Sequence, residues 1–496
     1  MNSPQVYLGV DLGAESGRVV AGLWDGRRML LEELHRFSNG PIALAETLRW
    51  DVLHLWSEIQ SGLTLGARKF GRRIVSLGVD TWGLDYVLMS RSDELLGLPF
   101  CYRDARTRGL VDETLRRVTR EEIFAGTGLQ FMEINTLYQW IAHRRASPEL
   151  FDSAATFLMI PDWLNWCLCG AKAVELTNAS TTQFLDPQSQ TWARGLLGRL
   201  DLPSQMLPEL VAPGTRLGFL RGDVAARTGL GPVPVIAPAT HDTGSAVAGT
   251  PGGTLGDGHW AYISSGTWSL VGVETRNPIL SAGALEANIT NEGGVNGTWR
   301  VLKNVMGLWL LQRCRAAFEA SGTALKYSEL LMAAESASPL RSLVDPDDSR
   351  FLNPPDMPAA LCAYCRETGQ PEPADIGACV RCVLESLALK YAVILDRLER
   401  LTGHSIRVVH VVGGGSRNEM LNQFTAEASG RSVVAGPVEA TVMGNLLVQT
   451  QAIGELGSLG DLRRVVRDSS DCREILPNPA AASRWNEARV RFYPGQ

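Results

Sequence analysis

The feature that most limits how this chain folds is a local pattern that begins twice. Val6 to Leu12 is an apolar run with an acid, Asp11, near its end; Gly13-Ala14-Glu15-Ser16-Gly17 follows, and Arg18 to Trp24 forms a second run. About half the chain later, Ala261-Tyr262-Ile263 leads into Ser264-Ser265-Gly266-Thr267, and Trp268 to Val273 continues as a strand. Strand, glycine turn and strand read as a β-hairpin in each case. With 496 residues the chain is too long for one core, because domains hold about 100–200 residues. The restart therefore predicts two lobes, each opened by a hairpin. Their division is expected near Thr250 to Gly258, whose sequence TPGGTLGDG is the strongest linker signal in the chain.

The turns of these hairpins have a chemical use. Successive backbone N–H groups in a glycine turn form a concave anion site. Three stretches qualify: Gly13–Gly17, Ser264–Thr267, and Gly413-Gly414-Gly415, which lies between the strand Ile406–Val412 and the helix Asn418–Ser429. Each also reads as an ordinary structural turn. The common nucleotide signatures are absent: no Gly-Lys dipeptide, hence no Walker A loop, and no H-R-D or D-F-G. Asp11 stands at the mouth of the first turn, where one carboxylate and water can hold Mg²⁺. Asp80 ends another apolar strand, Ile74–Val79, and is a second carboxylate of the same kind. His241-Asp242-Thr243 precedes a small-residue helix start. There Asp242 serves either as a helix cap or as an ionised base, since a helix N-terminus favours the anion. Leu110–Cys169 reads as mainly helical, and Glu439–Ile453 as a helix with one apolar face and Gly444 inside it.

Composition excludes other classes. The net charge is −6 with acids and bases interspersed, so there is no basic nucleic-acid surface. The start MNSPQVYLGVDLG lacks the basic region of a signal peptide, and no run of 18 apolar residues occurs. A cytoplasmic protein without membrane or nucleic-acid partner is expected, as a monomer or small homo-oligomer.

The motifs, in their order, resemble the FGGY carbohydrate kinases: V-D-L-G-A-E-S-G-R at Val10–Arg18, V-D-T-W-G-L-D at Val79–Asp85, H-D-T-G-S-A at His241–Ala246, S-S-G-T-W-S at Ser264–Ser269 and V-G-G-G-S-R-N at Val412–Asn418. Y-R-D-A-R-T at Tyr102–Thr107, N-T-L-Y-Q at Asn135–Gln139, A-N-I-T-N-E-G-G at Ala287–Gly294, L-K-N-V-M-G-L-W-L-L-Q at Leu302–Gln312 and A-G-P-V-E-A at Ala435–Ala440 resemble the L-rhamnulose kinases within that family. The likeness implies an α/β fold of two actin/hexokinase/Hsp70-like (ribonuclease H-like) lobes with a central cleft, each on a five-stranded mixed sheet. It implies an N-terminal lobe over 1–248, a C-terminal lobe over 249–480 and a tail over 481–496. It implies ATP- and Mg²⁺-dependent phosphorylation of L-rhamnulose at O1. Carried over, Ala14, Glu15, Ser16, Gly17 and Arg18 line the ATP phosphates, with Thr267 from the other lobe and Gln312 and Gly414 on the nucleotide. Asp242 is the general base; Gly83, His241, Thr243 and Asn304 hold the sugar; Asp11 reaches Mg²⁺ through water. Glu15 departs from the small polar residue of relatives and is expected to point outward, away from phosphate. Trp82 reads either as a stacking face for the sugar or as core.

Cys362, Cys365, Cys379 and Cys382 form C-x2-C-x13-C-x2-C. Free thiols, a zinc site and a disulfide are the alternatives, and the likeness places the disulfide at Cys365–Cys382. The competing functions are a family kinase for another sugar, of the L-fuculose or L-xylulose type, a non-catalytic sugar- or nucleotide-binding regulator, and a chaperone-like ATPase, for which no peptide-binding domain follows.

Overall fold

The computed structural model describes residues 4–253 and 259–494. Of the expected linker, residues 254–258 lie outside the described residues.

Packing divides the chain into two units: Met1–Gly256 with Glu274–Val301 and Ala440–Ser470, and Asp257–Val273 with Leu302–Glu439 and Asp471–Gln496. The division is therefore not one cut, because two later segments return to the first unit.

The first unit is built on strands β1 (Gln5–Leu12), β2 (Ser16–Trp24), β3 (Met29–Ser38), β4 (Ile74–Thr81), β5 (Arg216–Phe219) and β6 (Pro234–Ile236), in the order β5-β6-β4-β1-β2-β3. β1 pairs antiparallel with β2 and parallel with β4, and β6 pairs parallel with β4. Val6 to Leu12 are all buried, which is why β1 reads as a continuous apolar run rather than an alternating one.

The second unit repeats the plan with β7 (Trp260–Ser265), β8 (Trp268–Thr275), β9 (Trp299–Met306), β10 (Val408–Val412), β11 (Ser432–Ala435) and β12 (Arg473–Ile475). These follow one another as β9-β8-β7-β10-β11-β12. β7 is antiparallel to β8 and parallel to β10, and β10 is parallel to β11. Hairpin followed by two parallel strands is the shared core, so the doubled pattern in the sequence is a doubled topology. Both sheets exceed the five strands expected: an antiparallel edge strand, β5 or β12, is added beyond the last parallel one, and the short strand Thr290–Gly293 beside β9 brings the second sheet to seven.

The helix Ala440–Ala452 explains the return of the third segment. Val442, Met443, Leu446 and Leu447 join Tyr7, Val20 and Trp24 in one buried cluster. Its polar residues are buried too: Gln449 Nε2 donates to Leu8 O (3.0 Å), and Ser76 Oγ donates to Gln449 Oε1 (2.7 Å). The same helix crosses the short helix Asp242–Ala248 at Gly444 and Gly249. A Cβ on Gly444 would lie 1.8 Å from Ser245 O, and one on Gly249 2.1 Å from Ala440 O.

The expected tail over 481–496 is a packed helix in its described part, Ala482–Phe492. Trp485 is buried, its Nε1 donates to Glu427 Oε2 (2.8 Å), and its ring lies 5.5 Å from that of Phe424. Burial of one large aromatic with a satisfied N–H holds the segment to the helix Glu419–Ser429.

Gly444→Ala places a methyl group against main chain, which cannot swing aside as a side chain does. The expected outcome is a loss of about 1–3 kcal/mol or more, read as a lower thermal midpoint. A midpoint equal to wild type would refute the crossing.

Candidate active site

Parallel strands bring their carboxyl ends to one edge of a sheet, where α/β folds place ligands. In the first unit that edge carries Asp11 at the end of β1, Asp80 and Thr81 at the end of β4, and Thr240-His241 beyond β6. Thr81 N donates to Thr240 O (2.9 Å) and Trp82 N to Leu12 O (3.2 Å), which stitches the three ends together.

Asp242 is the first residue of the helix Asp242–Ala248, and the cap position belongs to His241, which makes no side-chain cap bond. The Asp242 carboxylate accepts from Thr243 N (2.5 Å) and Thr243 Oγ1 (3.1 Å). Its side chain keeps 30% exposure, yet burial raises its proton affinity above the ordinary carboxylate value. His241 and the Thr243 donors oppose the rise, and Asp11 adds to it. The helix start alone would hold the anion; with so short a helix, burial outweighs it. A carboxylate raised in this way accepts a proton more readily.

Glu175 pins the turn into that helix. Its carboxylate accepts from Thr240 N and Thr240 Oγ1 (2.8 Å each), from Thr177 N (2.8 Å) and from Thr177 Oγ1. Thr177 Oγ1 in turn accepts from His241 N (3.2 Å). His241 is buried, with Nε2 3.5 Å from Asp242 Oδ1 and Nδ1 3.2 Å from Glu292 Oε2. A Cβ on Gly83 would lie 3.1 Å from Thr181 and 3.3 Å from His241 Nε2, so Gly83 keeps space open beside that nitrogen.

The first glycine turn is tight: Gly13 N donates to Ser16 O (2.9 Å) and Asn39 Nδ2 to Gly13 O (2.7 Å). Ala14 and Ser16 are half-buried, and Glu15 is exposed. Gly17 has a packing role, since a Cβ there would fall 2.3 Å from the Phe37 ring. Arg18 faces Asp11 across the hairpin and grips its Oδ2 through Nε (2.9 Å) and Nη2 (2.7 Å).

Asp80 is buried beside Asp11. Burial first, and then the Asp11 charge, raises its proton affinity far above the usual range. Asn445 Nδ2 donates to its Oδ2 (2.6 Å), while Oδ1 has no donor among the described residues. The raised proton affinity favours a hydrogen on this carboxyl group. Among the described residues no group of three His, Cys, Asp or Glu side chains is arranged to hold a metal. The one Asp11 oxygen that Arg18 leaves fits a hydrated cation that takes its other ligands from water and phosphate.

Beneath this edge Trp82 is core. It is 5% exposed, and its ring lies 4.2 Å from that of Trp50. Trp50 Nε1 (2.6 Å), Trp82 Nε1 (3.0 Å) and Tyr102 N (3.2 Å) all donate to Asp85 Oδ2, and Gln139 Nε2 donates to Oδ1 (2.9 Å). Burial nevertheless raises Asp85 to about 6.

The second unit assembles the other expected nucleotide residues. Thr267 O accepts from Gly307 N (3.1 Å) and Trp309 N (3.2 Å), tying its loop to the start of the helix Trp309–Ala320, which carries Gln312 on an exposed face. A Cβ on Gly415 would lie 2.0 Å from Ser265 Oγ, so the Gly413–Gly415 loop presses on the hairpin turn; Gly414 itself faces open space. Asn304 is half-buried on β9.

Cys362, Cys365, Cys379 and Cys382 are thiols. Of the three alternatives, free thiols hold: Cys365 and Cys382 form no disulfide, and the neighbouring Cys365 thiol together with burial pushes Cys382 up. No zinc-type cluster forms among the described residues. The two CxxC pairs sit on separate helices, Met357–Glu367 and Ile376–Thr402, and Cys365, Cys379 and Cys382 pack there as small apolar groups.

Sequence reasoning missed Glu175, Glu292, Arg300 and Asn445. Glu292 lies inside the A-N-I-T-N-E-G-G motif, which is a signal. Asn445 and Glu175 carry none, because each acts through partners far away in the chain.

Between the ordinary value of 3.8 and about 6, the folded chain keeps a proton on Asp85 that the unfolded chain has released. Stability falls as pH rises through that window and is level above it, with a slope of up to about 1.4 kcal/mol per unit from this group. Urea unfolding across the window is expected to show a shallower decline for Asp85→Asn than for wild type. Equal slopes would remove Asp85 from the balance.

Comparison with known proteins gives one answer. The N-terminal domain of the FGGY family of carbohydrate kinases matches residues 6–249, and the C-terminal domain of that family matches residues 261–453. A rhamnulokinase of Bacteroides thetaiotaomicron is 43% identical over 488 residues, 98% of this chain and 99% of its own. A rhamnulokinase of Klebsiella pneumoniae is 42% identical over 475 residues, 95% of this chain and 94% of its own. Among solved structures, a ligand-bound xylulose kinase from Lactobacillus acidophilus superposes with a TM-score of 0.81 at 16% identity, over 98% of this chain and 97% of its own. Plasmodium falciparum glycerol kinase with ADP superposes with a TM-score of 0.79 at 17% identity, over 100% of this chain and 99% of its own. At these identities the two structures carry the fold.

Proposed function

We propose that this chain, which belongs to the FGGY family of carbohydrate kinases, transfers the terminal phosphoryl group of ATP to O1 of L-rhamnulose. What supports this substrate over other sugars is near full-length likeness to rhamnulokinases at 42–43% identity. What supports the chemistry is the Asp242 carboxylate: raised by burial, steadied by Thr243, and open on one side.

In this reading the sugar lies beside Gly83, where no side chain intrudes, with His241, Thr243 and Asn304 as its polar contacts. Asp242 accepts the O1 proton as the oxygen attacks phosphorus. That transition state is loose, so orienting the hydroxyl counts for more than base strength. Ala14 to Arg18, Thr267, Gln312 and Gly414 are assigned to ATP. Glu15 contributes main chain, since its side chain is exposed. Asp11 would hold Mg²⁺ through water; when bound, that ion neutralises phosphate charge. The Arg18 grip keeps the Asp11 carboxylate fixed whether or not a cation is present.

Purified protein with ATP, Mg²⁺ and L-rhamnulose is expected to form ADP and a ketose 1-phosphate. Turnover of L-fuculose or L-xylulose in place of L-rhamnulose would overturn the substrate and leave the kinase. Asp242→Asn is expected to cut turnover by about 10²–10⁴-fold while calorimetric ATP affinity stays near wild type. Wild-type turnover in that variant would remove Asp242 from the reaction.

A further inference from the structure

We infer that Arg300 is a positioning residue that sets the tautomer of His241 and thereby aims an N–H at Asp242 and the sugar site. The inference rests on the reading of Asp242 as the base.

Arg300 lies at the start of β9, in the stretch Glu274–Val301 that belongs to the first unit with His241 and Glu292, and is fully buried. Its Nε donates to Gly293 O (2.8 Å), its Nη2 lies 3.1 Å from Glu292 Oε2, and the same Nη2 makes a hydrogen bond of 3.2 Å with His241 Nδ1. A guanidinium has only donors. The contact with Arg300 is thus a hydrogen bond only where His241 Nδ1 presents its lone pair, and in the neutral ring the proton then sits on Nε2. That nitrogen is the one 3.5 Å from Asp242 Oδ1 and closest to the space over Gly83. The ring's surroundings leave no other charged choice. Asp242 stands on the Nε2 side, Glu292 and Arg300 on the Nδ1 side, and Thr177 on the backbone N–H.

Glu292 supplies the alternative that Arg300 suppresses. Its Oε2 is as close to Nδ1 (3.2 Å) as the guanidinium is, and without Arg300 it would draw the ring proton to Nδ1. The Nε2 lone pair would then face the Asp242 carboxylate, with no donor for a sugar oxygen. A purely structural reason for Arg300 is weak. Its Nη1 has no partner among the described residues, and a buried unsatisfied donor costs stability.

The test is ¹⁵N NMR of the His241 ring with kinetics on the full chain. Wild type is expected to carry the proton on Nε2. Arg300→Met is expected to move it to Nδ1 and to lower kcat/KM for L-rhamnulose about ten- to a hundredfold, the loss of one charged hydrogen bond. The ATP KM is expected to stay within about twofold, since the groups Arg300 bonds, Gly293 O, Glu292 and His241, are not assigned to the nucleotide. Glu292→Gln keeps the arginine contact, so its ring is expected to retain the wild-type tautomer. A wild-type proton on Nδ1, an unchanged tautomer in Arg300→Met, or a flipped one in Glu292→Gln would each overturn the inference. If Arg300→Met does not fold, the wild-type and Glu292→Gln spectra decide it. Those spectra need no substrate, so they stand apart from whether L-rhamnulose is the sugar.

Discussion

The crossing of the helix Ala440–Ala452 with the short helix that begins at Asp242 is the contact on which the first unit depends. Two glycines make it possible, each where a Cβ would run into the other helix's main chain. The close approach has consequences on both sides. On one side it fixes the axis of the helix that presents Asp242 and Thr243. On the other it lowers Asn445 and Gln449 onto β1 and β4, where they satisfy Leu8, Ser76 and Asp80. A late segment of the chain thus holds residues from its first hundred, and Asp242 and the neighbouring acids are placed by one packing event. Gly-to-Gly helix contact trades side-chain burial for nearness. Here nearness is what lets buried amides reach strand polar groups that would otherwise go unpaired.

How much of this was legible in the sequence depends on range. The two hairpins, the strand into Asp80 and the helix start at Asp242 are short-range patterns, and each formed where its residues predict. The order of the motifs carried the family. The discontinuous first unit was not legible, because nothing local in 440–470 says which sheet its apolar face will cover. Asn445 and Gln449 lie four residues apart on that helix and look like a solvated stripe, yet both are buried. The upward shift in the proton affinity of Asp242 was not legible for a related reason. A local rule about helix ends predicts a stabilised anion, whereas the shift comes from burial that only the fold creates. Cys362, Cys365, Cys379 and Cys382 show the converse: zinc-like spacing with no zinc-type cluster among the described residues, although Cys365 meets Cys382 across two helices.

The acids at the strand ends pose a problem for any anionic ligand, and their neighbours answer it. Asp11, Asp80 and Asp242 are close enough to influence one another, and the chain as a whole is acidic. Three full charges there would repel a phosphate arriving at the first glycine turn. Burial and the Asp11 charge raise the proton affinity of Asp80, against the Asn445 amide, whose bond favours the anion, and so weaken that repulsion. Asp11 is balanced by Arg18 across the hairpin. Asp242 is left as the one acid with both solvent access and raised proton affinity. It becomes distinct from the other two through their neutralisation as much as through its own position.

The same economy governs the other side of Asp242. His241 lies between an acid that borders the site and the Glu292–Arg300 pair behind it. An imidazole between two carboxylates has no fixed tautomer of its own. A guanidinium on one ring nitrogen removes the ambiguity, since it offers hydrogens and accepts none. Arg300 also occupies Glu292, so the acid competing for the ring proton is engaged by the group that excludes it. Charge is offset on each side of Asp242, by Arg18 on Asp11 toward the first glycine turn and by Arg300 on Glu292 behind His241. Buried charge of this density is costly where it serves packing alone. Its concentration around one partly exposed carboxylate is what distinguishes this edge of the sheet from the rest of the first unit.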